Sequence, residues 1–98
     1  MIEVETTEDF DRWFSRLRDK RAQARVAARV RRLAFGLFGG DVKPVGEGVS
    51  ELKVDYGPGY RVYFIRRGER LIVVLAGGDK TTQGRDIGLA KQIASELE

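Results

Sequence analysis

The sequence contains neither cysteine nor histidine among its 98 residues. Without cysteine the chain has no disulfides, no thiolate metal ligands and no cysteine nucleophile, which fits a reducing compartment. Without histidine it has no imidazole for a Ser-His-Asp triad or for most zinc sites. These absences exclude large classes of hydrolases and metalloenzymes, and we expect no metal or other cofactor.

Long hydrophobic runs are also absent. No apolar stretch approaches the roughly 20 residues of a membrane span. The N-terminal stretch MIEVETTEDF is acidic and lacks the apolar segment of a signal peptide. The composition is 42% hydrophobic and 34% charged, which is typical of a globular protein. We therefore expect a single domain over residues 1–98, located in the cytoplasm and without membrane contact.

Positive charge is concentrated in one part of the chain, although the net charge is only +3. The first eleven residues hold five acidic and no basic residues, whereas Arg12 to Arg32 holds nine basic residues and one acid. Such a distribution indicates a basic face that could meet a polyanion, and it is equally typical of a solvated helix surface. The arginines at helical spacing are Arg21, Arg25, Arg29 and Arg32.

Apolar residues recur with helical spacing in the first third of the chain. Residues 2–5 alternate like a short strand, and Thr6 and Thr7 offer an N-cap for a first helix. A second helix is predicted over Lys20 to Phe38, followed by glycines, so the two should form a helical hairpin. The apolar positions are Phe10, Trp13, Phe14 and Leu17 in the first helix, and Ala22, Val26, Val30, Leu33 and Leu37 in the second.

The second half of the chain predicts three strands and a last helix. Residues 39–48 are interpreted as a loop because of their glycine and proline content. Residues 49–56 and 60–65 alternate as half-buried strands, and 71–76 is apolar on both faces, as a central strand would be. A helix from Gln83 or Gly84 to Leu97 follows. The predicted fold is α+β, of order β-α-α-β-β-β-α, with the helical hairpin packed on a small antiparallel sheet.

The segment LAGGDKTTQGRDI at residues 75–87 suggests a phosphate-binding loop at first sight. A Walker A loop, however, requires glycine directly before the lysine, and Asp79 precedes Lys80 here. It also requires a parallel sheet with further strands to come, and few residues remain. The sequence therefore argues against a P-loop nucleotide hydrolase, although Lys80 could still face a phosphate.

Three basic residues are expected to converge on one face of the sheet. If the two strands around the GPG turn pair simply, Lys53 lies across from Arg61, and Lys80 follows the end of the next strand. This cluster could bind a phosphate. Alternatively, Lys53 and Arg61 merely pair with Glu51 and Asp55 on a solvated face.

The segments GVSELKVDYGPGYRVYF (48–64) and LAGGDKTTQGRDI (75–87) resemble the RelE/ParE toxin superfamily of bacterial toxin–antitoxin modules, and in particular its HigB-like addiction module killer branch. The resemblance extends over nearly the whole chain. It implies a type II toxin that cuts messenger RNA, typically on the ribosome, and so inhibits translation. It also implies a RelE-like fold, a four-stranded antiparallel sheet with an N-terminal helical hairpin.

Partners follow from the same resemblance. A helix-turn-helix antitoxin would hold the toxin inactive, and operator DNA would be reached only through that antitoxin. The toxin itself would contact mRNA and ribosomal RNA. The arginine stripe of the second helix would suit RNA docking through its phosphates, with Gln83 near the C-terminal RNA-contacting region of the family.

The resemblance also implies a metal-independent endoribonuclease in which a ribose 2′-hydroxyl attacks the adjacent phosphate. Arg61 would clamp the scissile phosphate through its bidentate fork. Lys53 would be the general base, its neutral form favoured by repulsion from Arg61 and Lys80. Lys80 would stabilise developing charge.

This chain departs from the family in ways that weaken the assignment of a general acid. Glu51 stands where some relatives carry a second lysine, and the C-terminal tyrosine or histidine of some relatives is missing. Tyr63 is then the candidate acid, and Glu51 or Asp55 could be the base if Lys53 stays charged. The alternatives are a ParE-like inhibitor of DNA gyrase and a catalytically inactive binding module that represses together with its antitoxin.

Overall fold

A computed structural model describes residues 1–97 as an α+β fold with two N-terminal helices, a five-stranded mixed sheet and a C-terminal helix. The predicted order of elements is confirmed, with one additional strand. Within the described residues, no helix is long and apolar enough to cross a membrane. The elements are β1 (Glu3–Thr6), α1 (Glu8–Ser15), α2 (Lys20–Leu33), β2 (Val42–Gly46), β3 (Val49–Val54), β4 (Tyr60–Arg67), β5 (Leu71–Asp79) and α3 (Gln83–Glu96).

Side-chain caps fix the start of both N-terminal helices. The Thr7 hydroxyl accepts a hydrogen bond from the Phe10 amide at 3.1 Å and so caps α1. The Asp19 carboxylate accepts from the Arg21 and Ala22 amides at 2.9 and 3.3 Å, capping α2. The threonine cap of α1 was predicted, and the structure assigns it to the second of the two threonines.

Helix α2 ends at Leu33 rather than at the predicted Phe38. Gly36 adopts a positive φ of 74°, and the Leu37 amide reaches back to the Arg32 carbonyl at 3.2 Å. This is the hydrogen-bond pattern of a Schellman ending, which glycine permits because it lacks a Cβ. As a consequence, Leu37 leaves the predicted apolar helix face and is 53% exposed.

The prediction that residues 39–48 form a loop is wrong. After one 3-10 turn at Gly39–Asp41, the chain forms β2, which pairs antiparallel with β3. Strand β2 lies at the edge of the sheet, where its Pro44 is tolerated. The connecting turn has positive φ at both Glu47 and Gly48, which is the geometry of a tight hairpin, but glutamate is an unusual residue for that conformation.

The sheet has the order β1-β5-β4-β3-β2. The β2–β3–β4–β5 part is an antiparallel meander, as predicted. Strand β1 extends it by pairing in parallel with β5, so that Glu3 lies beside Leu71. Strand β5 is therefore an inner strand, which explains why its residues 72–76 are all buried.

The two faces of the sheet carry separate hydrophobic cores. One face packs against α1 and α2, and we call it the hairpin face. The other packs against α3, and we call it the α3 face. Alternation along β3 and β4 sends successive residues to opposite faces. The buried hairpin-face core comprises Phe10, Val26, Leu33, Leu52, Val54, Val62, Phe64, Ile72 and Val74, and the α3-face core comprises Val49, Tyr63, Ile65, Val73, Leu75, Ala76 and Ala90.

Candidate active site

Lys53 and Arg61 are directly opposite each other on β3 and β4, in the register that the sequence predicted. Strand β2 first pairs with β3 at Leu52, so Lys53 lies beyond the end of β2. The gap that results opens a cleft of about 280 Å³ on the α3 face. We call this the basic cleft; its lining residues are Gly40, Asp41, Lys43, Glu51, Lys53 and Arg61.

Arg61 is the most enclosed cation of the basic cleft. It is only 8% exposed, whereas the prediction placed it on an exposed face of the sheet. Its Nη1 donates to the Gly59 carbonyl at 2.6 Å, and its Nε lies 3.9 Å from Oε1 of Glu51. Within residues 1–97, this Nε has no hydrogen-bond partner. The guanidinium is thus fixed by one hydrogen bond at Nη1, and its Nε edge lies in ion-pair range of the Glu51 carboxylate at the floor of the cleft.

Glu51 lies beneath the basic cleft and is 2% exposed. Its Oε2 accepts a hydrogen bond from Nε2 of Gln83 at 2.8 Å. Its Oε1 lies 3.8 Å from Nζ of Lys43 and 3.9 Å from Nε of Arg61. A buried carboxylate requires such partners because desolvation of an unpaired charge is costly.

The sequence did not predict that Glu51 is buried beneath α3 or that Lys43 lies beside it. Strand alternation placed Glu51 on the correct face, but it gave no sign that α3 covers this row. One feature of the sequence did indicate burial here: Tyr63, the cross-strand partner of Glu51, is a large aromatic residue, and such residues are usually packed beneath another element. Lys43 belonged to the segment interpreted as a loop, so its cross-strand pairing with Glu51 could not be anticipated.

Lys80 lies in the 3-10 turn Lys80–Thr82 that follows β5, and it does not line the basic cleft itself. It is exposed, and its Cβ lies next to Gly59, the residue whose carbonyl binds Arg61. Asp79 caps this turn: its Oδ1 accepts from the amide and the hydroxyl of Thr81 at 2.8 and 2.6 Å. These hydrogen bonds lower the pKa of Asp79. Asp79 is therefore structural, and Lys80 and Arg61 flank the same glycine.

The paired glycines before Asp79 have a packing role and form no phosphate loop. Both belong to β5. A Cβ at Gly77 would collide with the Trp13 ring of α1, and a Cβ at Gly78 would collide with the Asp86 carboxylate of α3. Helices thus approach this end of β5 from both faces, and only glycine leaves room for them.

Tyr63, the candidate general acid, is fully buried between the sheet and α3. Burial raises the pKa of its hydroxyl, and the negative charge of Glu51 raises this pKa further. Within the described chain, the hydroxyl has no hydrogen-bond partner. A side chain without solvent access does not reach an RNA strand in this conformation, so the structure places Tyr63 in the core, and its role as general acid stays a prediction.

The arginine stripe of α2 and Gln83 occupy different environments. Arg21 and Arg32 are exposed. Arg25 lies over the Tyr56 ring at 4.9 Å, and Arg29 forms an ion pair with Asp41 at 3.1 Å. Because Asp41 also lines the basic cleft, the stripe borders the cleft at this ion pair. Gln83 is half-buried, and its amide donates to Glu51 beneath the cleft.

The donor set of the basic cleft suits an anion. Three cationic side chains line it together with the carboxylates of Glu51 and Asp41. Within residues 1–97, no group of three or more acidic residues is placed to hold a metal ion. Arg61 and the lysines offer hydrogen-bond donors and positive charge, which is the complement of a phosphodiester.

Comparison with known proteins places the chain in a described family and finds a close relative. A family model described as "Phage derived protein Gp49-like (DUF891)" matches residues 12–94. The chain is also similar to a protein of Haemophilus influenzae described as "Uncharacterized protein", with 49% identity over 96 residues, which is 98% of this chain and 96% of the relative. The family match includes every residue of the basic cleft as well as Lys80 and Gln83, and it leaves out β1.

Proposed function

Because the chain belongs to the Gp49-like family of phage-derived proteins, we propose that it is a toxin of a type II toxin–antitoxin module that acts on RNA. Its single domain would be an endoribonuclease that cuts messenger RNA on the ribosome and so inhibits translation. The family membership supports the toxin-like assignment. The resemblance of residues 48–64 and 75–87 to the HigB-like branch supports the nuclease assignment.

One observation carries the proposal: Lys53 and Arg61 lie directly across β3 and β4 and line one cleft. Lys53 is exposed and Arg61 is held in place from below. An exposed lysine beside an immobilised guanidinium is suited to bind a phosphodiester and to meet the ribose hydroxyl next to it.

In the proposed reaction, the ribose 2′-oxygen forms a new bond to the adjacent phosphorus, and Lys53, as the proposed general base, takes its proton. Arg61 binds a non-bridging oxygen and stabilises the charge that builds up in the transition state. The bond from phosphorus to the 5′-oxygen then breaks, leaving a 2′,3′-cyclic phosphate. With Tyr63 buried, the exposed ammonium of Lys80 is the side chain we propose to stabilise and protonate the leaving oxygen.

The surroundings of the site suggest how substrate and partner would dock. The arginine stripe of α2 borders the basic cleft and would contact ribosomal RNA through phosphates, independently of sequence. A helix-turn-helix antitoxin would neutralise the toxin by masking the basic cleft or the adjoining start of α3. Operator DNA would be bound by the antitoxin alone.

A second candidate function is favoured by the enclosure of Arg61. Because its residue exposure is 8% and two guanidinium nitrogens face Gly59 and Glu51, the chain could be an inactive binding module that represses together with its antitoxin. A ParE-like gyrase inhibitor remains the other outcome to separate, although no residue of the basic cleft favours it.

The three functions are separated by inducing the protein briefly in cells and mapping new RNA 5′ ends across the transcriptome. Arg61→Ala is the test variant, and Arg70→Ala, an exposed arginine of the β4–β5 turn, is the matched control. We expect new ends inside reading frames at a fixed codon phase for the parent and the control, and none for Arg61→Ala.

Other outcomes reassign the protein. Growth arrest without new RNA ends would favour gyrase inhibition, and neither arrest nor new ends would favour the inactive module. New ends from a folded Arg61→Ala variant at the level of the parent would show that the basic cleft is not the site of cleavage.

A further inference from the structure

Glu51 is an acid buried at the floor of the basic cleft, where its charged neighbours are Lys43 and Arg61. Its two oxygens are divided between neighbours: Oε2 is fixed by Gln83 at 2.8 Å, and Oε1 lies within 4 Å of Lys43 and Arg61. Gln83 is the first residue of α3, so one carboxylate links β2, β3, β4 and α3. No other acidic side chain within residues 1–97 is as deeply buried.

Packing alone does not explain an acid at this position. Val49 lies two residues before Glu51 on the same face of β3, and its neighbours beneath α3 are apolar. An apolar side chain at residue 51 would fill the same place beside Tyr63. Replacing a buried ionic group by a well-packed apolar residue is often neutral or stabilising. The presence of a buried carboxylate at residue 51 is therefore weak evidence that it stabilises the fold.

We propose that Glu51 is a positioning residue that fixes the guanidinium of Arg61 for phosphate binding, a role that rests on the proposed function. The Glu51 carboxylate attracts the Nε edge electrostatically from 3.9 Å, and the Gly59 carbonyl accepts a hydrogen bond from Nη1. Neither contact involves Nη2, which is left to meet a phosphate oxygen. Gln83 in turn fixes the carboxylate, so the start of α3 sets the position of Arg61 through Glu51.

The charge of Glu51 has a second consequence, which makes its role measurable. Its carboxylate offsets part of the positive charge of Lys43 and Arg61, so removing it makes the basic cleft more cationic. The cleft should then bind an RNA strand at least as tightly, because phosphate affinity rises with positive charge. Cleavage should nevertheless slow, because the guanidinium is no longer held in one geometry.

The variant Glu51→Gln tests this separation, with Glu47→Gln as the matched control. Glu47 is an exposed acid of the β2–β3 turn that pairs with Lys91, away from the basic cleft. Binding is measured by fluorescence anisotropy with a 2′-O-methyl RNA oligonucleotide, and cleavage by single-turnover kinetics in a translation extract. For Glu51→Gln we expect unchanged or tighter binding with cleavage slower by roughly 100-fold; the control should match the parent in both.

Parallel losses of binding and cleavage would show that Glu51 only maintains the fold, and unchanged cleavage would show that Arg61 does not depend on it. Either result overturns the proposal.

A second readout does not depend on activity. In the parent protein, hydrogen exchange at Nε of Arg61, followed by NMR, should be much slower than at the exposed Arg16. It should become at least about tenfold faster in Glu51→Gln and stay unchanged in Glu47→Gln. Exchange at Arg61 as fast as at Arg16 in the parent would overturn the positioning role even if RNA is cleaved. Slow exchange in a parent that cleaves no RNA would uphold the positioning of Arg61 and reject the nuclease function.

Discussion

The hairpin face and the α3 face of the sheet are built from the same strands but differ in content. On the hairpin face, the buried positions of β3 and β4 are apolar throughout. On the α3 face, apolar residues occupy one end, and Glu51, Lys53 and Arg61 occupy the end near the GPG turn. The alternation of side chains along β3 and β4 thus forms a hydrophobic core on the hairpin face. On the α3 face it forms a hydrophobic core at one end and the candidate site at the other.

The difference follows from how far the helices extend. Helices α1 and α2 together cover the hairpin face, where Trp13 packs as far as Gly77. Helix α3 begins at Gln83, above Glu51, and leaves the row of Lys53 and Arg61 at its border. The site therefore arises where the cover of the sheet ends, and polar residues take the positions that a core would otherwise fill.

The largest effect should come from truncating the apolar face beside the site. Leu52 is fully buried on the hairpin face, and Lys53 follows it on the exposed border of the α3 face. Leu52→Ala should lower the free energy of unfolding by about 2–5 kcal/mol, because it removes buried methyl groups and leaves a cavity. Lys53→Ala should change it by less than about 0.5 kcal/mol. Urea denaturation of both variants measures this; equal losses would contradict the division between core and site.

A smaller effect should come from Gly77→Ala, where the two helices approach the end of β5. Its new methyl group would meet the Trp13 ring, and overpacking of this kind costs about 1–3 kcal/mol in unfolding free energy. The control is Gly84→Ala in α3, which has open space around it and should stabilise the helix by up to about 1 kcal/mol. Thermal unfolding of both variants separates them, and a neutral Gly77→Ala would argue against the close approach.

Acid should lower the folding stability of the protein in part through Asp19, the residue that caps α2. The hydrogen bond from the Tyr56 hydroxyl at 2.9 Å lowers the pKa of Asp19 below its ordinary 3.8. A depressed carboxylate pKa stabilises the fold above pH 3.8, and this contribution is lost as the pH falls through the lower folded-state pKa. Urea midpoints at pH 6 and pH 3 should differ less in Asp19→Asn than in the parent. The exposed control Asp11→Asn should behave like the parent, and equal acid sensitivity in all three proteins would contradict the role of Asp19.

The smallest effect is expected for Tyr63→Phe on the α3 face. The variant removes a buried hydroxyl that has no hydrogen-bond partner within the described chain, so stability should stay within about 1 kcal/mol of the parent. RNA cleavage should also be unchanged, because the hydroxyl has no access to substrate. A large loss of cleavage in a stable variant would return Tyr63 to the role of general acid.

Sequence periodicity correctly predicted the features that depend on the local spacing of apolar, polar and capping residues. The caps of α1, the pairing of Lys53 with Arg61 and the two-sided burial of β5 depend on local spacing, and the structure confirms them. The end of α2 was missed because a glycine reversal at Gly36 overrides an apolar spacing that continues to Leu37. Strand β2 was missed because it is an edge strand with proline and an atypical turn.

The candidate site was predictable only in part, because strand register follows from local alternation but burial depends on distant elements. Lys53 and Arg61 share a face by alternation, so their meeting follows from the register. The burial of Glu51 and Arg61 depends instead on where α3 lies, and no local pattern in β3 or β4 contains that information.

The most direct test of the nuclease function is the chemistry of the product. Purified protein would be added to a translation extract with a labelled mRNA, and with the same mRNA carrying a 2′-deoxy nucleotide at the cleavage position. We predict fragments ending in 2′,3′-cyclic phosphate from the normal mRNA, and none from the 2′-deoxy mRNA or from Arg61→Ala. Cleavage that persists without the 2′-hydroxyl, or in a folded Arg61→Ala variant, would contradict catalysis by the Lys53–Arg61 pair.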